Sequence, residues 1–236
     1  NEELYLAFKV VRDDVGSLVD HLSELSSRYL SRDESSRRDF FYQIRNEFNR
    51  GKADINYPIF DSSWTKRAAQ LIFLNRTCFN GLFRVNSRGE FNVPFGRYKN
   101  PKILNVDLLR ADSAVLQNTE IHYGDFTSAG SLISDNSFVY FDPPYRPLNQ
   151  TSSFTSYSKD GFDDDAQRRL ARFFRQCDTT GAKLMLSNSD PKNINPDDNF
   201  FDILYSDYRI ERVPAKRMIN CDKTKRGEIN EIIVTN

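Results

Sequence analysis

The sequence predicts an α/β protein in which a mainly helical segment precedes a mostly parallel sheet. Three observations carry this. Apolar residues recur at helical spacing through roughly the first eighty positions. Beyond residue 102, short apolar runs alternate with an amphipathic helix, the pattern of a sheet covered on both faces. Between the two lies a stretch without helical period, rich in glycine, proline and phenylalanine. At 236 residues, 39% hydrophobic and 28% charged, the chain suits one large domain, or one domain with a sizeable insertion.

Residues 10–29 form the first amphipathic helix, with Val15, Leu18, Val19, Leu22, Leu25 and Tyr29 at helical spacing. Ser31 and Glu34 have capping-box spacing. Phe40, Phe41, Ile44 and Phe48 continue as a second helix. A loop with Gly51 and Pro58 leads to a third helix over 63–78, with Trp64, Ala68, Leu71 and Ile72 inward. The stretch "FNGLFRVNSRGEFNVPFGRYKNP" (79–101) holds three glycines, two prolines and four phenylalanines. It reads as a hairpin with "SRG" as its turn. "EIHYGDF" (120–126) and "SFVYFDPPY" (137–145) read as strands ending in polar loops. Residues 164–177 form a helix with Ala166, Leu170, Phe173, Phe174 and Cys177 on one face, and Gly181 stands where a helix stop belongs. "AKLMLSNS" (182–189) is the next strand. "FFDILYSDYRIERV" and "EINEIIVTN" complete the sheet, the last strand antiparallel.

Composition narrows the function. No run of eighteen apolar residues would cross a membrane, and no signal-peptide pattern opens the chain. A cytoplasmic protein is expected. Cys78, Cys177 and Cys221 form no C-x-x-C pair, which predicts free thiols. With His21 and His122 as the only histidines, no metal is expected. Formal net charge is zero, so the chain is no uniformly basic nucleic-acid binder. The distribution is uneven. Arg76, Arg84, Arg88, Arg97, Lys99 and Lys102 face a single Glu90 within 76–102, and 209–226 is also basic. A local basic stripe suits a polyanion on one face. Its plain alternative is a solvated loop.

The most informative stretch is "FVYFDPPYRPL" (138–148). Asp142 ends a buried strand, where open α/β sheets bind ligands. Pro143 and Pro144 have fixed φ and no N–H, so they stiffen the loop and leave carbonyls to be used elsewhere. Tyr145 adds an aromatic face. A carboxylate, a backbone carbonyl and a ring suit a planar group bearing an exocyclic amine, such as adenine or cytosine. Two acceptors take both N–H bonds and orient the nitrogen lone pair at an electrophile, which is positioning plus charge stabilisation. A tight turn after a strand is the simpler alternative.

Two longer stretches resolve this further. "FVYFDPPYRPLNQTSSFTSYSKDGF" resembles the catalytic motif and following loop of the Dam-type DNA adenine-N6 methyltransferases, whose familiar members act on GATC. "NRTCFNGLFRVNSRGEFNVPFGRYKNP" resembles their target-recognition hairpin, in the same order along the chain. The resemblance spans nearly the whole sequence. It implies a Rossmann-like methyltransferase sheet with an inserted, mainly helical target-recognition domain carrying a hairpin. Residues 1–29 and 103–236 would form the catalytic domain and 30–102 the recognition domain.

It also implies S-adenosylmethionine as methyl donor, S-adenosylhomocysteine as product, no metal, and a flipped-out adenine in double-stranded DNA. Asp142 and the Pro143 carbonyl would accept from the N6 amine, with Pro144 stiffening the loop and Tyr145 stacking on the base. Asp142 would also border the cofactor, beside Asp125 or Phe126 of the "GDF" turn. In the hairpin, Phe79 would insert into the base stack and Asn80 would contact a base or phosphate. Leu82 and Arg84 would read the outer half of the site, and Pro94 would touch a thymine methyl. Arg88, Arg97 and Lys99 would bind phosphates. Tyr157 and Phe162 would fold over the pocket, and "SNSD" (187–190) would be structural. A monomer is expected.

The chain departs from the family's pattern at its start. "NEELYLAFKVV" resembles the tail of a D-x-N strand end and the helix after it, so the glycine-rich F-x-G-x-G loop that precedes it in the family is expected to be an omitted part of the protein. Other amino-methylases, acting on cytosine N4, RNA or protein glutamine, share a related loop, and Asp first with Tyr last leans toward adenine. A DNA-binding module that kept the scaffold without activity is the other alternative.

Overall fold

The computed structural model describes residues 1–148, 162–216 and 228–236. Tyr157 lies outside them, as do Cys221 and most of the second basic stretch. The chain forms two compact units, Asn1–Tyr123 and Gly124–Asn236. The expected functional division at residues 30 and 102 runs elsewhere, through the first unit.

The first unit is helical. Helix α1 (Glu2–Asp13) is capped by the Asn1 side chain, which accepts from the N–H groups of Glu3 and Leu4. Helix α2 (Val15–Leu30) follows after a break at Asp14, whose φ is −147°. The single helix expected over 10–29 is thus two. Asp14 leaves helical geometry, and its carboxylate accepts from Ser17 and from Thr65 of the next-but-one helix. Helix α3 (Glu34–Arg50) is capped by Asp33, which accepts from the Ser36 N–H, while Ser31 closes α2. The expected capping box from Ser31 therefore does not form.

Helix α4 (Ser62–Thr77) is the centre of this unit, in contact with α1, α2 and α3. Trp64, Ala68, Leu71, Phe73 and Leu74 are buried on several sides of it. Its Arg67 is only 3% exposed. The guanidinium donates to both carboxylate oxygens of Glu3 on α1 and, at 2.8 Å, to the Phe48 carbonyl near the end of α3. It also lies 4.0 Å from the centre of the Phe48 ring. Tyr57 donates to the same Glu3 carboxylate at 2.8 Å. Every charge is met, as burial requires. Helix α5 (Val106–Leu116) was not legible in the sequence, because it buries little. It docks on α1 through polar bonds instead, from Gln117 and Ser113 to the Arg12 carbonyl.

The second unit is a four-stranded sheet in the order β1-β2-β4-β3, with helix α6 against it. Strand β1 (Phe138–Phe141) pairs in parallel with β2 (Lys183–Ser189), Phe141 opposite Leu186. Helix α6 (Asp164–Asp178) links them, capped by Asp163 and followed by Gly181 at φ 85°. Strands β3 (Arg209–Lys216) and β4 (Glu228–Thr235) pair antiparallel, as does β4 with β2. The described sheet is therefore mixed rather than mostly parallel, and its last strand is antiparallel as expected. Leu170, Phe173 and Phe174 of α6 pack on Phe141, Leu184, Leu186, Ile232 and Val234.

Two expected strand segments differ. Residues 120–123 are irregular, and Phe126–Leu132 form a 3-10 helix capped by Asp125. Phe200–Leu204 form a short helix, α7. Phe200, Phe201, Leu204 and Tyr205 follow an i, i+1, i+4, i+5 spacing that suits one face of a helix, and Ile203 is left exposed. No helix among the described residues is long and apolar enough to cross a membrane.

The Glu3–Arg67 pair sets a quantitative expectation. Glu3→Ala leaves a buried guanidinium without its counter-charge and should cost about 3–5 kcal/mol. Glu24→Ala, which removes the exposed Glu24–Arg28 pair, should cost less than about 1 kcal/mol. Urea unfolding of the two variants measures both.

Candidate active site and recognition hairpin

The loop after β1 has few ways to hold itself. Pro143, Pro144 and Pro147 lack N–H groups, so a strand ladder cannot continue. Neighbouring elements hold it by side chains. Gln167 of α6, fully buried, donates to the Pro144 carbonyl at 3.0 Å. Asn188 of β2, also fully buried, accepts the Arg146 N–H at 2.9 Å and donates to Gln167 at 3.2 Å. Ser189 donates to the Arg146 carbonyl at 2.6 Å. The register explains the reach. Phe141 pairs with Leu186, so the loop runs on beside Ser187, Asn188 and Ser189. The "SNSD" stretch is structural as expected, and the structure it supports is this loop. A strand whose second half is buried and polar signals as much, because such groups require partners.

The groups left over are the informative ones. The Pro144 carbonyl is taken, while the Pro143 carbonyl has no hydrogen-bond partner among the described residues. Asp142 is exposed, and its carboxylate accepts one long bond, 3.4 Å from the Ser187 hydroxyl. That hydroxyl lies 2.8 Å from the Tyr140 hydroxyl. Tyr145 is half-buried and its phenol donates to Glu231 of β4 at 3.4 Å. Burial raises the Tyr145 pKa, Ser187 partly offsets this, and the charges of Glu231 and Asp142 add to it. Tyr145 therefore stays neutral. The strand end presents an acceptor carboxylate, an unused carbonyl and a neutral ring in sequence.

Asp125 and Phe126 are less open. The Asp125 carboxylate accepts from Thr127 and pairs with Arg169 at 2.8 Å. The Arg169 bond, then the Thr127 bonds, hold its pKa well below the ordinary range. The Arg169 guanidinium lies 4.4 Å from the Phe126 ring centre. Phe126 meets Phe173 and Phe162 with ring centres 5.6 and 6.3 Å apart. Phe162 thus belongs to that aromatic cluster.

The hairpin is built in the first unit. Cys78 bridges Phe95 and Val85 bridges Phe91. Asn86 shapes the turn. Its side chain accepts from the N–H groups of Arg88 and Glu90, and its carbonyl from Gly89 at φ 75°. The turn matches the expected "SRG". Asn80 and Gly81 both have positive φ, 56° and 61°, the pairing of a type I′ turn. The return arm docks on the end of α4, where Gly96 donates to the Thr77 carbonyl at 2.9 Å. Asn49 of α3 holds the same arm nearer the turn, donating to the Phe91 carbonyl at 3.1 Å and accepting its N–H at 2.8 Å.

The expected DNA-contacting residues fall into two groups. Phe79 (51% exposed), Asn80, Arg88, Pro94, Arg97 and Lys99 are exposed. Leu82 and Arg84 are half-buried. Leu82 packs on the helical core, and Arg84 Nε donates to Asn92 across the hairpin at 2.8 Å. Arg97 has φ 55°. The Lys99 carbonyl is held by Arg37 at 2.7 Å, and Arg37 also binds the Tyr29 and Leu30 carbonyls that end α2. Asn49, Arg37 and Asn92 had no sequence signal, since their partners are backbone carbonyls or lie across the hairpin.

With the site in place, comparison with known proteins is direct. Residues 1–219 match the model of the D12 class N6 adenine-specific DNA methyltransferases. The chain belongs to this family. It is an adenine-specific DNA methyltransferase. It is 52% identical over 238 residues to the type II methyltransferase M.MjaIII of Methanocaldococcus jannaschii, covering 100% of this chain and 78% of that protein. It is 37% identical, covering 100% and 77%, to a type II methyltransferase of Lactococcus lactis subsp. cremoris. A DNA adenine methylase of Salmonella typhi is 31% identical over 209 residues, covering 88% and 68%. The methyltransferase acts on DNA; its first compact unit carries the hairpin and its second the loop after β1.

Two measurements follow. A Cβ on Gly96 would stand 2.5 Å from the Cys78 carbonyl oxygen, so Gly96→Ala must displace backbone. It should lower stability by about 1–3 kcal/mol and weaken duplex binding, read by calorimetry and fluorescence anisotropy. For pH, burial pushes the Asp198 carboxyl up, but the bonds from Arg146 and the Phe200 N–H outweigh it and leave the pKa lowered. Asp125 is lowered too. A lowered folded pKa means stability present above the unfolded value of about 3.9 and lost as pH falls through the folded value. Tm should be flat from about pH 7 to 5 and fall below about pH 4. Asp198→Asn, which removes one partly exposed pair, should have a Tm close to wild type at pH 7 and lose slightly less of it to acid.

Proposed function

We propose that this chain transfers a methyl group from S-adenosylmethionine to N6 of an adenine flipped out of double-stranded DNA, within GATC. The observation that carries this reading is the pairing of an exposed Asp142 carboxylate with the adjacent Pro143 carbonyl, which has no hydrogen-bond partner among the described residues. Together they accept both N–H bonds of the exocyclic amine and orient its lone pair. Asp142 orients rather than deprotonates, because a carboxylate is far too weak a base for a neutral amine. The amine proton is lost after transfer. Pro143 and Pro144 keep the acceptors rigid, and Tyr145 supplies the ring face for the base.

S-adenosylmethionine supplies an electrophilic methyl group when bound. The candidate contacts in this chain are Asp125, Phe126 and Asp142. Asp125 and Phe126 offer a turn already fixed by Thr127 and Arg169, a rigid edge for a nucleoside. Asp142 suits the positively charged amino group of the donor.

In the hairpin, Phe79 has the exposure an intercalating ring needs, and Asn80 sits beside it on the type I′ turn. Arg84 is pre-aligned by Asn92 and keeps donors for a guanine edge, with Leu82 and Pro94 as apolar neighbours of the bases. Arg88, Arg97 and Lys99 neutralise phosphates and set register rather than sequence. Residues 30–102 serve as the recognition domain, and 1–29 with 103–236 as the catalytic one. Relatives named type II methyltransferases support a role in DNA restriction–modification. The protein acts as a monomer.

The test is methyl transfer from labelled S-adenosylmethionine to duplexes with and without GATC, using the full-length protein. Label should enter GATC adenine alone. Asp142→Ala should lower turnover by about 100- to 1,000-fold, the cost of losing one oriented acceptor. Arg84→Ala should reduce discrimination against a substituted guanine by about 1–3 kcal/mol. Label on cytosine would move the enzyme to another amine, and tight binding without transfer would leave a binding module.

A further inference from the structure

We propose that Arg146 is the positioning residue of the acceptor loop, an inference that rests on Asp142 and Pro143 being the acceptors. It follows Tyr145 directly, and among the described residues of the loop none is held at so many points. Its N–H donates to Asn188 and its carbonyl accepts from Ser189, so β2 grips its backbone on both sides. Its guanidinium reaches the other way. Nε and Nη2 donate to the two oxygens of Asp164 at 2.7 and 3.0 Å, and Nη1 donates to Asp198 at 2.7 Å. The group also lies 4.4 Å from the centre of the Phe200 ring.

These partners come from three elements: the end of β2, the first turn of α6, and the segment entering α7. Asp164 and Gln167 are three residues apart on α6, hence on one face of it. One binds the Arg146 side chain and the other the Pro144 carbonyl. The first turn of α6 therefore acts as a ruler. It fixes two points on the loop and leaves the Pro143 carbonyl between Asp142 and the first fixed point. The direction of that carbonyl, and the spacing of the two acceptors, depend on both points being held.

Only an arginine can do this. A lysine is a single point charge and cannot make a planar fork to Asp164 with a third bond to Asp198. Both carboxylates are half-exposed, with side-chain exposures of 41% and 27%. The network is therefore a weak source of global stability, and its geometric effect exceeds its energetic one. A shift of about 1 Å in a reacting group costs on the order of a hundredfold in rate.

The experiment compares wild type, Arg146→Lys, Arg146→Met, Asp164→Asn, the Arg146→Met/Asp164→Asn double variant and Asp142→Ala in the full-length protein. Steady-state and single-turnover methyl transfer are measured beside Tm and duplex affinity. Both Arg146 variants should lose about 30- to 100-fold in kcat. KM for duplex and for S-adenosylmethionine should stay within about threefold, and Tm should be close to wild type. Asp164→Asn should fall between, and the double variant should be no slower than Arg146→Met, because the two residues act as a unit.

Wild-type kcat in both Arg146 variants, with Asp142→Ala inactive, overturns this inference alone. A kcat loss that tracks the folded fraction and vanishes on cooling also overturns it, since the role would be structural only. Full activity of Asp142→Ala overturns the site assignment, and the inference with it.

Discussion

A loop containing two successive prolines cannot bond itself into a sheet, and the second unit is arranged around that constraint. Removing the donors from residues 143 and 144 gives stiffness without attachment. Attachment then comes from side chains that point at backbone: Gln167, Asn188 and Ser189. These are buried polar groups, expensive unless paired, and each is paired. The polar second half of β2 exists for this purpose. The apolar first half, through Leu184 and Leu186, packs the core. One strand thus divides its length between packing and holding.

The first unit solves a related problem with charge. Helix α4 is enclosed by its neighbours and carries an arginine in its buried face. Arg67 is met by Glu3, the Phe48 carbonyl and the Phe48 ring, and so joins three helices at one point. The pair sits where removing either member is far costlier than any exposed ion pair. At the rim of the same unit, Arg37 and Asn49 bind carbonyls of the hairpin arms. A helical scaffold has no strand edge to offer a hairpin, so side chains do the work of one.

Most of what the sequence made legible concerned periodicity and local chemistry. Helices α2, α3, α4 and α6 followed from apolar spacing, and the hairpin turn from "SRG". The acceptor loop was legible because two prolines after an acid leave few alternatives. What escaped was tertiary. Helix α5 buries little beyond Leu109, and its polar anchors are bonds to the Arg12 carbonyl a hundred residues away. The strand expected at 120–126 gives way to a turn because Asp125 caps a 3-10 helix. Residues 200–205 hold an apolar run whose helix spacing was masked by the strand that follows. Arg146 looked like an ordinary charge beside a motif, since nothing local announces Asp164 and Asp198 as its partners.

Helix α3 holds the hairpin segment by its backbone, through Asn49 at Phe91, Arg45 at the Val93 carbonyl and Arg37 at the Lys99 carbonyl, and this has an evolutionary consequence. Asn49 bonds the N–H and C=O of Phe91 and nothing of its side chain. It occupies the edge that a stray strand from another molecule would otherwise seek. It is also blind to the identity of the outward residues on that arm. Those residues can be exchanged while the hairpin keeps its seat. Bonds to backbone thereby separate how the hairpin is held from what its surface presents.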